Sequence, residues 1–259
     1  MIGTSKRLSP GMLARAALLC LAFASAAVAR DDATVGKRGE DEIALQASKI
    51  GALQNEGNLA AAQKLLDALP PSAPEELVMG VRLDQLWLQG RLDEVISQCT
   101  AFIERSRAET TFYKTRQIGC RLVIANALHL QGKADASVAS CKQAMALLNE
   151  LGLADQQPER PGLRYRANAH ACLDEKAAAF ADLRQAQDLA KGDARLMPGF
   201  ELTRARFHVR FGEYDAAIAI LKHSLTVPNG STAARLRLDP DWTALRSDPR
   251  FQALLKQAP

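Results

Sequence analysis

The sequence has little that would mark an enzyme. It contains no glycine-rich phosphate loop, no Gly-x-Ser-x-Gly elbow and no His-Glu-x-x-His helix, which leaves phosphoryl transfer, nucleophilic hydrolysis and zinc proteolysis without their usual local devices. No two cysteines have the close spacing of a metal knuckle. Aromatic residues are sparse at 5% and β-branched residues are thinly spread, while Ala and Leu dominate, a balance that favours helix over sheet. Apolar residues still make up 47% of the 259 residues, enough for a substantial core. Net charge is also lacking. The formal charge of +4 includes Lys6, Arg7 and Arg15, which lie in a segment expected to be removed. The nearly neutral remainder offers no electrostatic argument for nucleic acid or anionic lipid.

Residues 1–29 have the three parts of an export signal. The basic start (Lys6, Arg7, Arg15) precedes the apolar run Ala16 to Ala29, and Ala27-Val28-Ala29 puts small residues where a signal peptidase reads. Cleavage is expected after Ala29, giving a periplasmic or secreted protein. Cys20 follows Leu19 inside the apolar run and is read as a passenger. No later stretch approaches the length of a membrane span, so no integral span is expected in the mature chain. Residues 30–39 are expected to form a loose leader.

What is present is internal repetition. Five segments share a turn followed by a small-residue helix: Gly57-Asn-Leu-Ala-Ala-Ala62, Gly90-Arg-Leu-Asp-Glu-Val95, Gly132-Lys-Ala-Asp-Ala-Ser137, Asp174-Glu-Lys-Ala-Ala-Ala179 and Gly212-Glu-Tyr-Asp-Ala-Ala217. Their starts are 33, 42, 42 and 38 residues apart. A left-handed residue ends the first helix of each unit, and the small residue five positions on lets the second helix cross closely. Nine positions past each turn start stand Leu66, Cys99, Cys141, Leu183 and Leu221, all apolar. Pro70-Pro71-Ser-Ala-Pro74 breaks the first two helix pairs. The extra residues between later units fall in Arg105–Thr110, Gly152–Pro161 and Lys191–Gly199, which are polar or rich in Pro and Gly.

This form resembles the tetratricopeptide repeat, best in Gly212-Glu-Tyr214-Asp-Ala-Ala217-Ile-Ala-Ile-Leu221. It departs from it at Asp174, which replaces the turn glycine, and in the bulky residue early in each first helix, which is poorly matched throughout. The resemblance implies an all-α superhelical repeat array, or solenoid, of about five helix pairs over residues 40–228. Residues 229–259 should cap it with short helices. Asp239-Pro240 and Ser247-Asp248-Pro249 each put an N-cap before a proline, so helices are expected from 240 and from 249. Trp242, Leu245, Phe251 and Leu254 would cover the last apolar face. From Arg235 to Leu255 the tail is similar to the ending of tetratricopeptide regions in bacterial signalling proteins, where the repeats are a recognition or regulatory part.

Cys99, Cys120, Cys141 and Cys172 remain after export, and an even count in an exported chain reads as disulfides. Residues equidistant from the turn between antiparallel helices face each other, which favours pairing 99 with 120 and 141 with 172. Cys99 and Cys141 occupy equivalent places on successive units, roughly 8–10 Å apart at least, too far for a bridge. Four buried free thiols are the alternative.

In such arrays the first helices line a groove whose positions recur with the repeat. Six residues before each of four turns stand Asp84, Asn126, Asn168 and Arg206, interrupting apolar helices, and Arg164 and Arg210 lie on neighbouring turns of the same surface. These six residues are the candidate partner-binding set: Asn side chains would hold a partner's backbone while the arginines meet carboxylates. His170 and His208, each four residues before a turn, are read as framework positions rather than ligands. The expectation is a non-enzymatic adaptor or scaffold without metal or cofactor, holding a protein or peptide of the cell envelope, with self-association possible. An accessory subunit or small-ligand-binding regulator of an envelope enzyme is the alternative.

Overall fold

The structure is a computed structural model and describes residues 34–106, 111–152 and 162–257. The segment read as an export signal and residues 107–110 and 153–161 lie outside the described residues. Within these bounds the chain is helical, with no strand among the described residues. Five pairs follow one another: α1 (Thr34–Asn55) and α2 (Leu59–Asp67), α3 (Glu75–Leu88) and α4 (Leu92–Arg105), α5 (Thr111–Leu130) and α6 (Ala134–Leu151), α7 (Gly162–Cys172) and α8 (Lys176–Leu189), α9 (Met197–Arg210) and α10 (Tyr214–Ser224). The tail adds α11 (Ala233–Leu238), a 3-10 helix (Pro240–Leu245) and α12 (Pro249–Gln257). No helix among the described residues is long and apolar enough to cross a membrane.

Two boundaries differ from expectation. Helix α1 begins at Thr34, inside the segment read as a leader, and α9 begins at Met197, inside the segment read as a loop, with Pro198 at its first positions. A proline in the first turn loses no hydrogen bond, because those N–H groups have no partner within the helix.

The pairs form for the reason their spacing suggests. In α4 the buried residues are Val95, Cys99 and Phe102, one face of a helix, with charged residues opposite. All five small residues after the turns are buried (Ala62, Val95, Ser137, Ala179, Ala217), as are Leu66, Cys99, Cys141, Leu183 and Leu221. The one polar member, Ser137, donates its hydroxyl to the carbonyl of Ala125 at 2.7 Å, so it fits a tight helix crossing at no cost in unpaired polarity. Each odd-numbered helix packs on the one that follows, and α1 also packs on α3, and α5 on α7. A buried amide pair ties the first two units together: Gln54 donates to the Val81 carbonyl at 2.8 Å and to Gln85 Oε1 at 3.1 Å, while Gln85 donates to the Leu59 carbonyl at 2.8 Å.

The fourth turn shows what the missing glycine costs. Asp174 adopts φ 60°, like the glycines of the other turns, in a region where a Cβ crowds the backbone. Its neighbours make the same closing bonds as elsewhere, with Asp174 N–H donating to the Ala171 carbonyl and Glu175 N–H to that of His170.

Cys141 and Cys172 form a disulfide between α6 and α7, with Cα atoms 6.3 Å apart, as their spacing leads one to expect. The second expected bridge is not formed. Cys99 and Cys120 are free, fully buried thiols, and the neighbouring Cys120 together with burial holds the Cys99 thiol well above its usual range. They fill the α3–α5 core as small apolar groups.

Candidate functional site

The four recurring polar residues lie on α3, α5, α7 and α9, and the structure brings them to one place. Asp84, Asn126, Asn168, Arg164, Arg206 and Arg210 all line a single cavity of about 400 Å³, with Trp87, Leu122 and Phe207 among its apolar walls. Their spacing along each helix explains this. Residues separated by three or four positions share a face, so Arg164 and Asn168, or Arg206 and Arg210, point inward together.

Most of these residues are engaged within the chain. Arg235 of α11 donates to both oxygens of Asp84, at 2.6 and 2.8 Å. Asn126 donates to Asp241 Oδ1 at 2.8 Å. Arg206 donates through Nε to Asp241 and through a terminal nitrogen to Asp239 at 3.2 Å. Trp87 donates its indole N–H to Asp239 at 2.9 Å, and the Arg206 guanidinium sits 5.3 Å from the centre of the Trp242 ring. The C-terminal segment thus meets three of the four recurring positions, and Pro240, Asp241 and Ala244 form one wall of the cavity. The fourth, Asn168, donates to the Arg164 carbonyl of its own helix at 2.7 Å. Arg210 donates to the Cys172 carbonyl at 2.9 Å and reaches Asp174 at 3.3 Å, capping the C-terminus of α7, where a cation meets the negative end of the helix dipole.

The electrostatics follow from this crowding. Asp239 and Asp241 share Arg206, and Asp241 is removed from water. Burial and the neighbouring Asp239 charge push its carboxyl above the ordinary range, against the opposing pull of Arg206 and Asn126. His129, at the rim, is held low by burial and then by Arg210, with Asp174 acting the other way. Burial pushes the Tyr165 hydroxyl up to about 12. The cavity therefore pairs Arg206 with Asp239 and Asp241, and Arg210 with Asp174.

His170 and His208 lie apart from this cavity lining. Each ring Nδ1 pairs with the glutamate five residues on, His170 with Glu175 and His208 with Glu213, the latter at 2.9 Å. A further reach of 3.5 Å takes His170 Nε2 to Asp182, which is itself gripped by Arg166 through two bonds of 2.7 Å.

Trp87, Arg235, Asp239 and Asp241 belong to this region and were not among the residues singled out for it. Asp239 carries a visible local role, since its side chain accepts the Asp241 N–H at 3.1 Å as the N-cap of the 3-10 helix. Its second role, toward a tryptophan 152 positions away, leaves no mark in the local pattern. Comparison of the chain with protein-family models, with curated proteins and with solved structures gives no significant match.

Proposed function

We propose that this chain is a non-enzymatic recognition module, an exported repeat array of the tetratricopeptide type that holds a short peptide or protein segment of an envelope partner against its inner surface. One observation carries the reading: four polar residues that recur at a fixed offset and the two arginines beside them, on four different helices, line one cavity with apolar walls. Partner sites on folds of this kind belong to the side chains on the surface and not to the fold itself. Asn168 donates to the Arg164 carbonyl and Arg210 to that of Cys172, and these two with Arg164 are the residues this reading puts against the partner.

The test uses the mature chain as bait in an envelope extract, beside Arg164→Glu/Arg210→Glu. A partner retained by the first and lost by the second, with the helical spectrum unchanged, supports the reading. Equal retention by both refutes the groove assignment.

A second reading has its own support. The tail walls the inner surface down to about 400 Å³, a volume within the range of small-molecule sites. On that reading the chain is a small-ligand-binding regulator, and a metabolite or glycan panel should raise its melting temperature, while captured protein partners should be indifferent to Arg164→Glu/Arg210→Glu.

A further inference from the structure

The C-terminal segment is held on its two sides by different kinds of contact. Toward α9 and α10 it is mainly apolar: Leu236, Trp242, Leu245, Phe251 and Leu254 form one buried cluster with Leu202, Ile218 and Leu221, beside the bonds from Arg206 to Asp239 and Asp241. Toward the first half of the chain it is mostly polar. Thr232 donates to the Asn55 carbonyl, Arg235 grips Asp84, Asp239 accepts from Trp87, and Asp241 accepts from Asn126. These bonds join residues 177, 151, 152 and 115 positions apart. At the first turn the backbones also come close, since a Cβ built on Gly57 would lie 2.8 Å from the Cβ of Ala234.

From this asymmetry we infer that residues 232–241 are a latch between the two ends of the helical array: the polar side parts and re-forms while the apolar side stays fixed to α9 and α10. The physical ground is the difference in what each side exchanges with water. Hydrogen bonds given up to solvent are replaced by bonds to water, so their net loss is much smaller than their strength. A fully buried Leu or Phe loses its whole transfer free energy on exposure, with nothing to replace it. Five apolar anchors on one side against a few polar bonds on the other decide which side opens. Parting would uncover Asp84 and Asn126, leave Arg206 paired with Asp239 and Asp241, and turn the cavity into an open groove. This deepens the reading of the inner surface as a binding site, because it says how a segment longer than the cavity would enter.

The experiment uses the full mature chain with nitroxide labels and no ligand, so its failure is separate from failure of the binding reading. Glu56→Cys with Arg246→Cys spans the latch, and Lys222→Cys with Lys256→Cys spans the apolar side; all four positions are exposed, whereas the native thiols Cys99 and Cys120 are buried. Pulsed dipolar distances should show one population for each pair in the wild-type background. With Asp84→Ala, the first pair should gain a longer population several-fold above wild type, and the second pair should not change. Should Asp84→Ala lose its helical spectrum, Asn126→Ala removes a neutral latch bond and is read the same way. An unchanged first pair in a folded variant, or a second pair that splits along with the first, overturns the latch.

Discussion

At the scale of the residue, position 174 and position 241 hold the clearest departures from comfort. Asp174 stands at φ 60° where the other turns use glycine, and its ion pair with Arg210 is 3.3 Å long with the Asp174 side chain 76% exposed, so the charge contributes little to stability. Asp174→Gly should therefore stabilise the chain, by a few tenths to about 1 kcal/mol, since relief of left-handed strain outweighs the extra freedom of the unfolded glycine. Urea denaturation at neutral pH checks this; a loss of stability would mean that Asp174 holds Arg210 more firmly than its exposure implies. Asp241 makes a prediction about pH. Its folded carboxyl titrates above its ordinary value because of burial and Asp239. The native state thus binds that proton more tightly than the unfolded state, whose carboxyl titrates at about 3.9. The contribution is fully present below that unfolded value and is lost as pH rises through the raised one. Asp241→Asn should remove this decline, so the gap between variant and wild type in urea midpoint should change with pH from about 4 upward, and a constant gap would contradict it.

At the scale of the element, turns and helix pairs were readable because their determinants are local. A positive-φ residue, a small residue five positions on and an apolar residue nine positions on recur within a dozen residues, and each is where its spacing put it. Helix α11 was not readable. It has six residues, and its start is set by Thr232, which accepts the Arg235 N–H, a short signal inside a run otherwise read as a tail. The candidate site was readable in half. Polar residues interrupting apolar helices at a fixed offset announce a shared surface, but nothing near Asp84 or Asn126 in sequence announces Arg235 or Asp241. Among the cysteines, the geometry that brings 141 to 172 also brings 99 to 120, and the structure bonds only the first pair. The bonded pair closes a separation of 31 residues, so replacing both cysteines by alanine should cost roughly 3–4 kcal/mol, seen as a lower urea midpoint. Turns also differ in what they touch. Gly90 has open space around a built Cβ, whereas Gly57 meets Ala234. Both alanine variants suffer the positive φ, but Gly57→Ala should lose about 1 kcal/mol or more beyond Gly90→Ala, because packed helices must also move apart.

At the scale of the whole molecule, the tail changes how stability is shared. An open array of stacked units contacts only neighbours and frays from its ends. Here α11 packs on α1 and α12 on α10, so the first helix pair is held from both sides. Native-state hydrogen exchange should show the amides of α1 and α3 protected to within about 1 kcal/mol of those in α9. In Asp84→Ala that protection should fall first in α1 and α2. Selective loss from α9 would instead place the weak point at the apolar side.

The bond from Thr232 to Asn55 joins groups 177 positions apart, and it bears on the order in which the protein is completed. Pairing at that range is slow compared with the zipping of adjacent helices, and it cannot begin until Thr232 has been synthesised. Five hairpins are therefore finished while the inward-facing polar row on α3 and α5 still stands in water. A product ending early, at a premature stop or a protease nick before Arg235, would leave that row and the apolar face of α9 and α10 uncovered, and that face would make it the sticky form of the chain.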